Sequence, residues 1–173
     1  NPDALITSTA GGAPNVTLTR QLRAAGISIP YGNYALDEGT AKSMGDNAEG
    51  IYIVASYLSS LETDANKAFL EAIEKKFGSS AETPNELSVP QYEAIYAYAA
   101  AVEKAGSTDS TAVIQALGEV TVEGPRGSVI MNKQRHASLN MYLGRVAADG
   151  SVQLVKSFPK VDPGEQCPQF ANK

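Results

Sequence analysis

The sequence has almost none of the residues that form disulfides or bind transition metals. Among its 173 residues it contains one cysteine, Cys167, and one histidine, His136. A single cysteine excludes an internal disulfide framework and a multi-cysteine metal site, and a single histidine argues against a histidine-based zinc site. We therefore expect no metal site and no cofactor. We interpret Cys167 as inert and His136 as a structural or surface residue.

Basic charge and long apolar runs are also scarce. Lysine and arginine number 14 against 19 aspartate and glutamate residues, which gives a formal net charge of −5. Nucleic acids and anionic membranes attract proteins through basic patches, so we expect no nucleic acid partner. No apolar stretch reaches the roughly 18 residues of a membrane-spanning helix. The opening "NPDALITS" is typical of the middle of a domain, so we expect a mature piece or a fragment of a longer protein.

The alternation of apolar and polar residues predicts an α/β fold with a parallel sheet in its first third. A hydrophobic content of 43% is enough for one sizeable core, undivided or shared between two lobes. Strands are predicted at residues 4–9, 27–35 and 51–58, helices at 14–25, 64–77, 90–105 and 110–117, and three further strands after them. Asp149 and Gly150 separate the last two strands and predict a hairpin turn.

Two of the predicted helices carry apolar stripes that indicate buried faces. Phe69, Ile73 and Phe77 repeat at a spacing of four in helix 64–77. Tyr92 and Tyr96 share a stripe of helix 90–105, and we expect them in the core with their hydroxyls at its edge.

The glycine pair Gly11-Gly12, between the first strand and the first helix, is the first candidate site. A dinucleotide fingerprint needs a third glycine and an acid after the next strand, and a P-loop needs Gly-Lys-Ser/Thr. The sequence has neither arrangement here. Two interpretations remain open: a tight turn without a ligand, and a ligand site formed by free backbone N–H groups at the helix N-terminus.

No group of residues has the pattern of a catalytic site. Asp37 and Glu38 are interpreted as solvated loop acids, and His136 lacks the partners of a triad. Ser8 and Thr9 lie outside any Gly-x-Ser-x-Gly motif. We therefore expect a ligand-binding protein and not an enzyme, since binding needs only a concave site with a few polar groups.

Four segments resemble one family in their order and spacing. They are "STAGG" leading to "RQLRAAG", "AEG" before a hydrophobic strand, "YEAIYAYAAAVEKAGSTDSTAVIQAL", and "EGPRGSVIMNKQRHASLNMYLGRVAADGSVQLV". Together they resemble the type I periplasmic solute-binding proteins of ABC importers that bind branched-chain amino acids, amides and urea, or aromatic acids. The resemblance implies an α/β fold of two Rossmann-like lobes that close on a ligand. Such proteins are about twice as long, so this chain resembles the second half of the two-lobed fold.

The resemblance also implies a division of the chain. Residues 1–53 and 128–160 are expected in the C-terminal lobe, residues 54–127 as a hinge strand and helices belonging to the N-terminal lobe, and residues 161–173 as an irregular tail. Hinge segments are expected at residues 54–57 and 124–128. The helices would then lack the sheet they cover, so we expect the missing N-terminal half as a separate or lost segment, or else helices that re-pack or swap between copies.

The resemblance places ligand contacts after the first two strands. Ser8, Thr9, Ala10 and Gly11 match the segment that contacts ligand in relatives that bind amino acids. Those relatives carry an acid after the second strand, where this sequence has Asn33 followed by Tyr34. An amide suits a neutral amide or a carboxylate, and Tyr34 suits an aromatic wall. Asp37 and Glu38 are the nearest alternative acids.

The function implied is capture of a small polar or aromatic solute, such as an amino acid, an amide or urea, or a carboxylic acid. The protein would act outside the cytoplasm, in the periplasm or extracellular space, either free or lipid-anchored, and deliver its solute to an ABC permease. The alternative is a cytosolic ligand sensor of the same fold that regulates a partner protein. A secretion signal upstream would favour transport.

Overall fold

The computed structural model describes residues 2–132 and 135–164, and these form the following elements in chain order. They are β1 (Leu5–Thr7), α1 (Gly12–Ala24), β2 (Tyr31–Asn33), α2 (Glu38–Met44), β3 (Tyr52–Ala55), α3 (Asp64–Phe77), α4 (Ser88–Ala105), α5 (Ser110–Leu117), β4 (Thr121–Gly124), β5 (Gly127–Ile130), β6 (Leu139–Val146) and β7 (Val152–Val161). Short 3-10 turns follow α2 and α3.

A five-stranded sheet in the order β1-β2-β3-β6-β7 organises both ends of the chain. Strands β1, β2 and β3 run parallel. Strand β6 pairs antiparallel with β3, and β7 pairs antiparallel with β6. The main core contains the fully buried Ile51, Ile53 and Val146. The parallel sheet predicted for the first third is confirmed. We call β1–β3, α1, α2, β6 and β7 the sheet unit.

The remaining elements form what we call the helical unit, α3–α5 with the hairpin β4–β5. Local signals set its helix boundaries. The side chains of Thr63 and Asp109 accept hydrogen bonds from backbone N–H groups three residues later, which caps α3 and α5. Gly106 ends α4 in the left-handed conformation. The four helices predicted from the sequence agree with α1, α3, α4 and α5 within two residues at each end.

Three predicted strand features differ from the structure. The second strand is only Tyr31–Asn33, because Pro30 before it has no N–H to donate. Strand β3 covers only Tyr52–Ala55 of the predicted range 51–58, and its Val54 is 43% exposed. Residues 121–130 form the hairpin β4–β5, so four strands follow the helices, where three were expected.

The helical unit leaves a large apolar face uncovered. Its exposed apolar side chains, with the fraction of each that is exposed, are Phe77 50%, Leu87 66%, Tyr92 40%, Ile95 70%, Tyr96 55% and Tyr98 52%. The placement of Tyr92 and Tyr96 in a core is therefore wrong for this chain alone, since the described elements do not cover that face. The expectation that a missing N-terminal half covers this face stays a prediction.

The predicted division into lobes stays a prediction, although the sheet unit and the helical unit show where the chain leaves the five-stranded sheet. It leaves the five-stranded sheet after β3 and rejoins it at β6. Residues 127–130 pair with β4 and so lie with the helices. Val161 still belongs to β7, and Cys167 lies outside the described residues. Among the described helices, none has the length and apolar character needed to cross a membrane.

Candidate functional site

The two segments predicted to bind ligand meet at one edge of the parallel strands. Thr7 and Asn33 are paired in register at the carboxyl ends of β1 and β2. The backbone N–H of Tyr34 donates to the Thr7 carbonyl at 3.4 Å. Ser8 and Tyr34 therefore leave the sheet side by side, at the edge where open α/β sheets bind ligands.

Residues 8–11 present mostly backbone and small polar groups at this edge. Ser8, Ala10 and Gly11 are exposed, and Thr9 is half-buried. Gly11 is the N-cap of α1 with φ 84° and ψ 159°, a conformation that is essentially restricted to glycine. No side chain caps this helix, so its first N–H groups stay available to a ligand.

Tyr34 supplies the aromatic surface of the site. It lies directly after β2, and 61% of the side chain is exposed. Of the predicted ligand-binding residues, those at positions 8–11 and Tyr34 are the ones that the structure brings together at an accessible surface. Their contact with a ligand stays a prediction.

Asn33 has a different environment from its neighbours. It is 1% exposed, and its Nδ2 donates to Asn15 Oδ1 at 2.8 Å and to the Tyr31 hydroxyl at 3.2 Å. Its Oδ1 accepts from the backbone N–H of Ala35 at 3.0 Å. Asn15 in turn donates to the Gly11 carbonyl at 2.9 Å. The side chain of Asn33 therefore ties the start of α1 to the end of β2, and a ligand contact by Asn33 remains a prediction.

Glu38 is also buried, at 6% exposure, so its interpretation as a solvated loop acid is wrong. Its Oε2 accepts from the Ser59 backbone N–H at 2.8 Å and its Oε1 from the Ser59 hydroxyl at 2.9 Å. Burial raises the pKa of the Glu38 carboxyl, and the bonds from Ser59 partly oppose that rise. Glu38 connects α2 to the loop after β3, and its ligand role stays untested.

Asp37 is committed to protein donors as well. Its carboxylate caps α2, with Oδ1 accepting from the Thr40 N–H at 2.9 Å and Oδ2 from the Thr40 hydroxyl at 2.6 Å. Asn85 Nδ2 also donates to Oδ1, at 3.3 Å. Capping explains why an acid precedes this short helix. Both acids near the edge therefore serve the protein's own donors.

A second polar cluster, which the sequence did not indicate, lies where the two units meet. Arg126 Nε donates to Glu93 Oε2 at 2.6 Å, and its Nη1 donates to Ser56 Oγ at 3.0 Å. Ser56 Oγ donates to Glu86 Oε2 at 3.0 Å. We call these residues the Arg126 network. Its hydrogen-bonded pairs lie 30 to 70 positions apart in the chain, so no local motif could have indicated it.

His136 lies in the segment between β5 and β6. Its backbone N–H donates to Asn132 Oδ1 at 3.0 Å, and its carbonyl accepts from the Asn132 N–H at 2.6 Å. Within residues 2–132 and 135–164, the histidine and acidic side chains form no cluster that could hold a metal ion.

Comparison with protein families identifies the fold's relatives. The family model described as "Periplasmic binding protein" matches residues 1–151. This chain belongs to that family. Leu/Ile/Val-binding protein homolog 6 of Brucella abortus is 28% identical over 153 residues, which are 83% of this chain and 38% of the relative. This periplasmic binding protein chain thus spans less than half the length of that curated relative.

Solved periplasmic binding proteins share the fold. A solute-binding protein of an ABC transporter from Rhodopseudomonas palustris, in complex with 3,4-dihydroxybenzoic acid, is 26% identical with a TM-score of 0.80, over 93% of this chain and 46% of that one. One from R. palustris in complex with benzoate has a TM-score of 0.83 at 21% identity, over 96% and 46%. The type I periplasmic binding protein fold of ABC importers, expected from the resemblance, is confirmed.

Proposed function

We propose that this chain is the second half of a two-lobed solute-binding protein, and that residues 8–11 and Tyr34 form its side of the ligand site. The observation that carries the proposal is the register pair of Thr7 and Asn33, because it delivers both exposed segments to one open edge. Family membership and relatives with bound aromatic acids support it. The protein then captures its solute without chemical conversion.

The groups at this edge suit a carboxylate or an amide better than a free ammonium. The exposed N-terminus of α1 attracts negative charge or a carbonyl oxygen. Asp37 and Glu38 already accept hydrogen bonds from Thr40 and Ser59. The ammonium of an amino acid would need an acid from the other lobe. We propose a small carboxylic acid or amide, with its ring or apolar part against Tyr34.

The uncovered face of α3 and α4 is the proposed contact with the N-terminal lobe. Exposing a large apolar side chain costs about 1.5–3 kcal/mol relative to burying it, and this face carries several, including Ile95 at 70% exposure. In the two-lobed protein, Ile95→Lys should lower the free energy of unfolding by at least about 2 kcal/mol. Gln115→Lys, at an exposed position of α5 outside that face, is the control and should change it by no more than about 0.5 kcal/mol. Equal effects would contradict this contact.

Ligand binding would shift a hinge equilibrium towards the closed form, because the closed form alone contacts the solute from both sides. We propose that the closed protein then presents its two lobes to an ABC permease, in the periplasm or extracellular space. The proposal of transport over sensing rests on the relatives, which are solute-binding proteins of ABC transporters.

Thermal unfolding of the two-lobed protein tests the proposal directly. The ligands are benzoate, 4-hydroxybenzoate, leucine, acetamide and urea. A true ligand at 100 times its Kd should stabilise the protein by about 2.7 kcal/mol. Tyr34→Ala should weaken binding of that ligand, whereas Phe158→Ala, which removes an exposed aromatic side chain from β7, should not. Absence of any stabilisation, or equal affinity in both variants, would refute the proposed site.

A further inference from the structure

The Arg126 network lies where the chain passes from the sheet unit to the helical unit. Ser56 follows directly after β3, where the chain leaves the sheet. Glu86 precedes α4, and Glu93 lies on its second turn. Arg126 occupies the turn between β4 and β5. Side chains from three places therefore meet at one point: the residue after β3, the start of α4, and the turn between β4 and β5.

Each of the four residues in the network forms at least two hydrogen bonds. Arg126 uses its backbone N–H as well as its side chain, donating to Glu93 Oε1 at 3.1 Å. Glu86 Oε2 accepts from the backbone N–H groups of Ser56 at 2.6 Å and Tyr57 at 3.0 Å. The Ser56 hydroxyl links the two halves, because it accepts from Arg126 and donates to Glu86.

The ionic pair in this network is deeply buried. The side chains of Arg126 and Glu93 are 10% and 4% exposed. A buried ion pair loses so much hydration that apolar side chains of similar size often stabilise a fold equally well. Glycine at position 124 leaves room for the Glu93 side chain, since a Cβ there would lie 2.5 Å from Glu93 Oε1. The geometry thus indicates a role in fixing position beyond any contribution to stability.

We propose that Arg126 is a positioning residue that holds the two hinge segments, residues 54–57 and 124–128, at a fixed spacing. Through Ser56 it also fixes the backbone of Ser56 and Tyr57 against Glu86. The lobes then close by one defined rotation, and this rotation brings the ligand-binding edge to a fixed position opposite the other lobe. This inference rests on the proposed two-lobed function.

The first test needs no ligand and uses hydrogen exchange in the two-lobed protein. The double variant Glu93→Leu/Arg126→Met replaces the pair with apolar side chains and should stay folded. Its cost should be limited to about 1–3 kcal/mol, because the Arg126 N–H loses its acceptor on Glu93. The variant loses the hydrogen bond from the charged Arg126 to the Ser56 hydroxyl. A bond of that kind is worth roughly a factor of ten or more in a local opening equilibrium, so the Ser56 and Tyr57 amides should exchange about tenfold faster or more. The amides of β6 should exchange as before.

A matched control separates this effect from the loss of any ion pair. Lys104→Gln breaks the exposed pair between Lys104 and Glu119, whose atoms lie 3.0 Å apart, and should leave the Ser56 and Tyr57 amides unchanged. Arg126→Lys should give intermediate exchange, since lysine keeps the charge but cannot bond Glu93 and Ser56 with one planar fork. Unchanged exchange in the double variant would overturn the inference.

The second test measures binding kinetics with the solute that thermal unfolding identifies. In the double variant a smaller fraction of the molecules has the hinge geometry that allows closure. The variant should therefore bind the solute about tenfold more weakly, mainly through slower association. Equal association rates in the wild-type protein and the double variant would overturn the inference even if the proposed function holds. If the wild-type protein binds no solute, the proposed function fails, and the exchange measurement alone decides whether Arg126 fixes the hinge segments.

Discussion

Replacing Asn33 separates a scaffold role from a ligand-binding role for this buried side chain. Asn33→Ala removes the donors to Asn15 and Tyr31 and the acceptor for Ala35. Tyr31 keeps its bond with Thr7 at 3.1 Å. Asn15, at 1% exposure, is left with an unpaired Oδ1.

The expected cost follows from those partners. A buried polar atom left without a partner costs about 1–3 kcal/mol, and the Ala35 N–H is lost as a second, partly buried partner. We therefore expect Asn33→Ala to lower the free energy of unfolding by about 2–4 kcal/mol. Urea denaturation of the two-lobed protein measures this directly, with m-values compared to confirm that only stability has changed.

Asn47→Ala is the matched control, since Asn47 is exposed and its amide makes one long bond of 3.4 Å to Met44. It should cost no more than about 0.5 kcal/mol. If Asn33→Ala costs as little as the control, the scaffold assignment is refuted. If it also weakens ligand binding at unchanged stability, Asn33 contacts the ligand after all.

Three further substitutions test other parts of the structure. Gly11→Ala should cost about 1–3 kcal/mol by urea denaturation because φ at Gly11 is 84°, whereas Gly12→Ala, at a position without positive φ, should cost less. Thr19→Val should stabilise the protein by about 1 kcal/mol in the same assay, because the buried Thr19 hydroxyl has no partner among the described residues; a loss of stability would contradict this. The raised pKa of Glu38 means that the folded state holds its proton more tightly, so stability should fall as pH rises from the ordinary value of 4.5 through the raised pKa. Glu38→Gln should flatten that fall in denaturation measured from pH 4 to pH 8, and an unchanged pH profile would refute it.

The elements that depend on local signals could be predicted from the sequence. Thr63 and Asp109 cap helices because their side chains reach N–H groups three residues ahead. Gly106 ends α4 because glycine enters the left-handed conformation without steric cost. Each signal lies within a few residues of the boundary it sets, so one sequence is enough to read it.

The side-chain networks could not be predicted, because they depend on residues far apart in the chain. The partner of Asn33 is Asn15, 18 positions earlier, and that of Glu38 is Ser59, 21 positions later. Periodicity says which face of an element is apolar but not which polar group another element brings to it. Glu38 therefore looked like a solvated loop acid, although it is buried against Ser59.

These differences assign distinct tasks to the polar residues at the edge of the sheet. The buried residues Asn15, Asn33 and Glu38 form hydrogen bonds that hold α1, α2 and the strand ends in place. The exposed side chains of Ser8, Ala10 and Tyr34 are held by that scaffold but contribute little to it. A preorganised site of this kind loses little ordering entropy on binding. Its specificity can therefore change at Ser8, Ala10 and Tyr34 at little cost in stability, which is consistent with one fold serving relatives that carry different solutes.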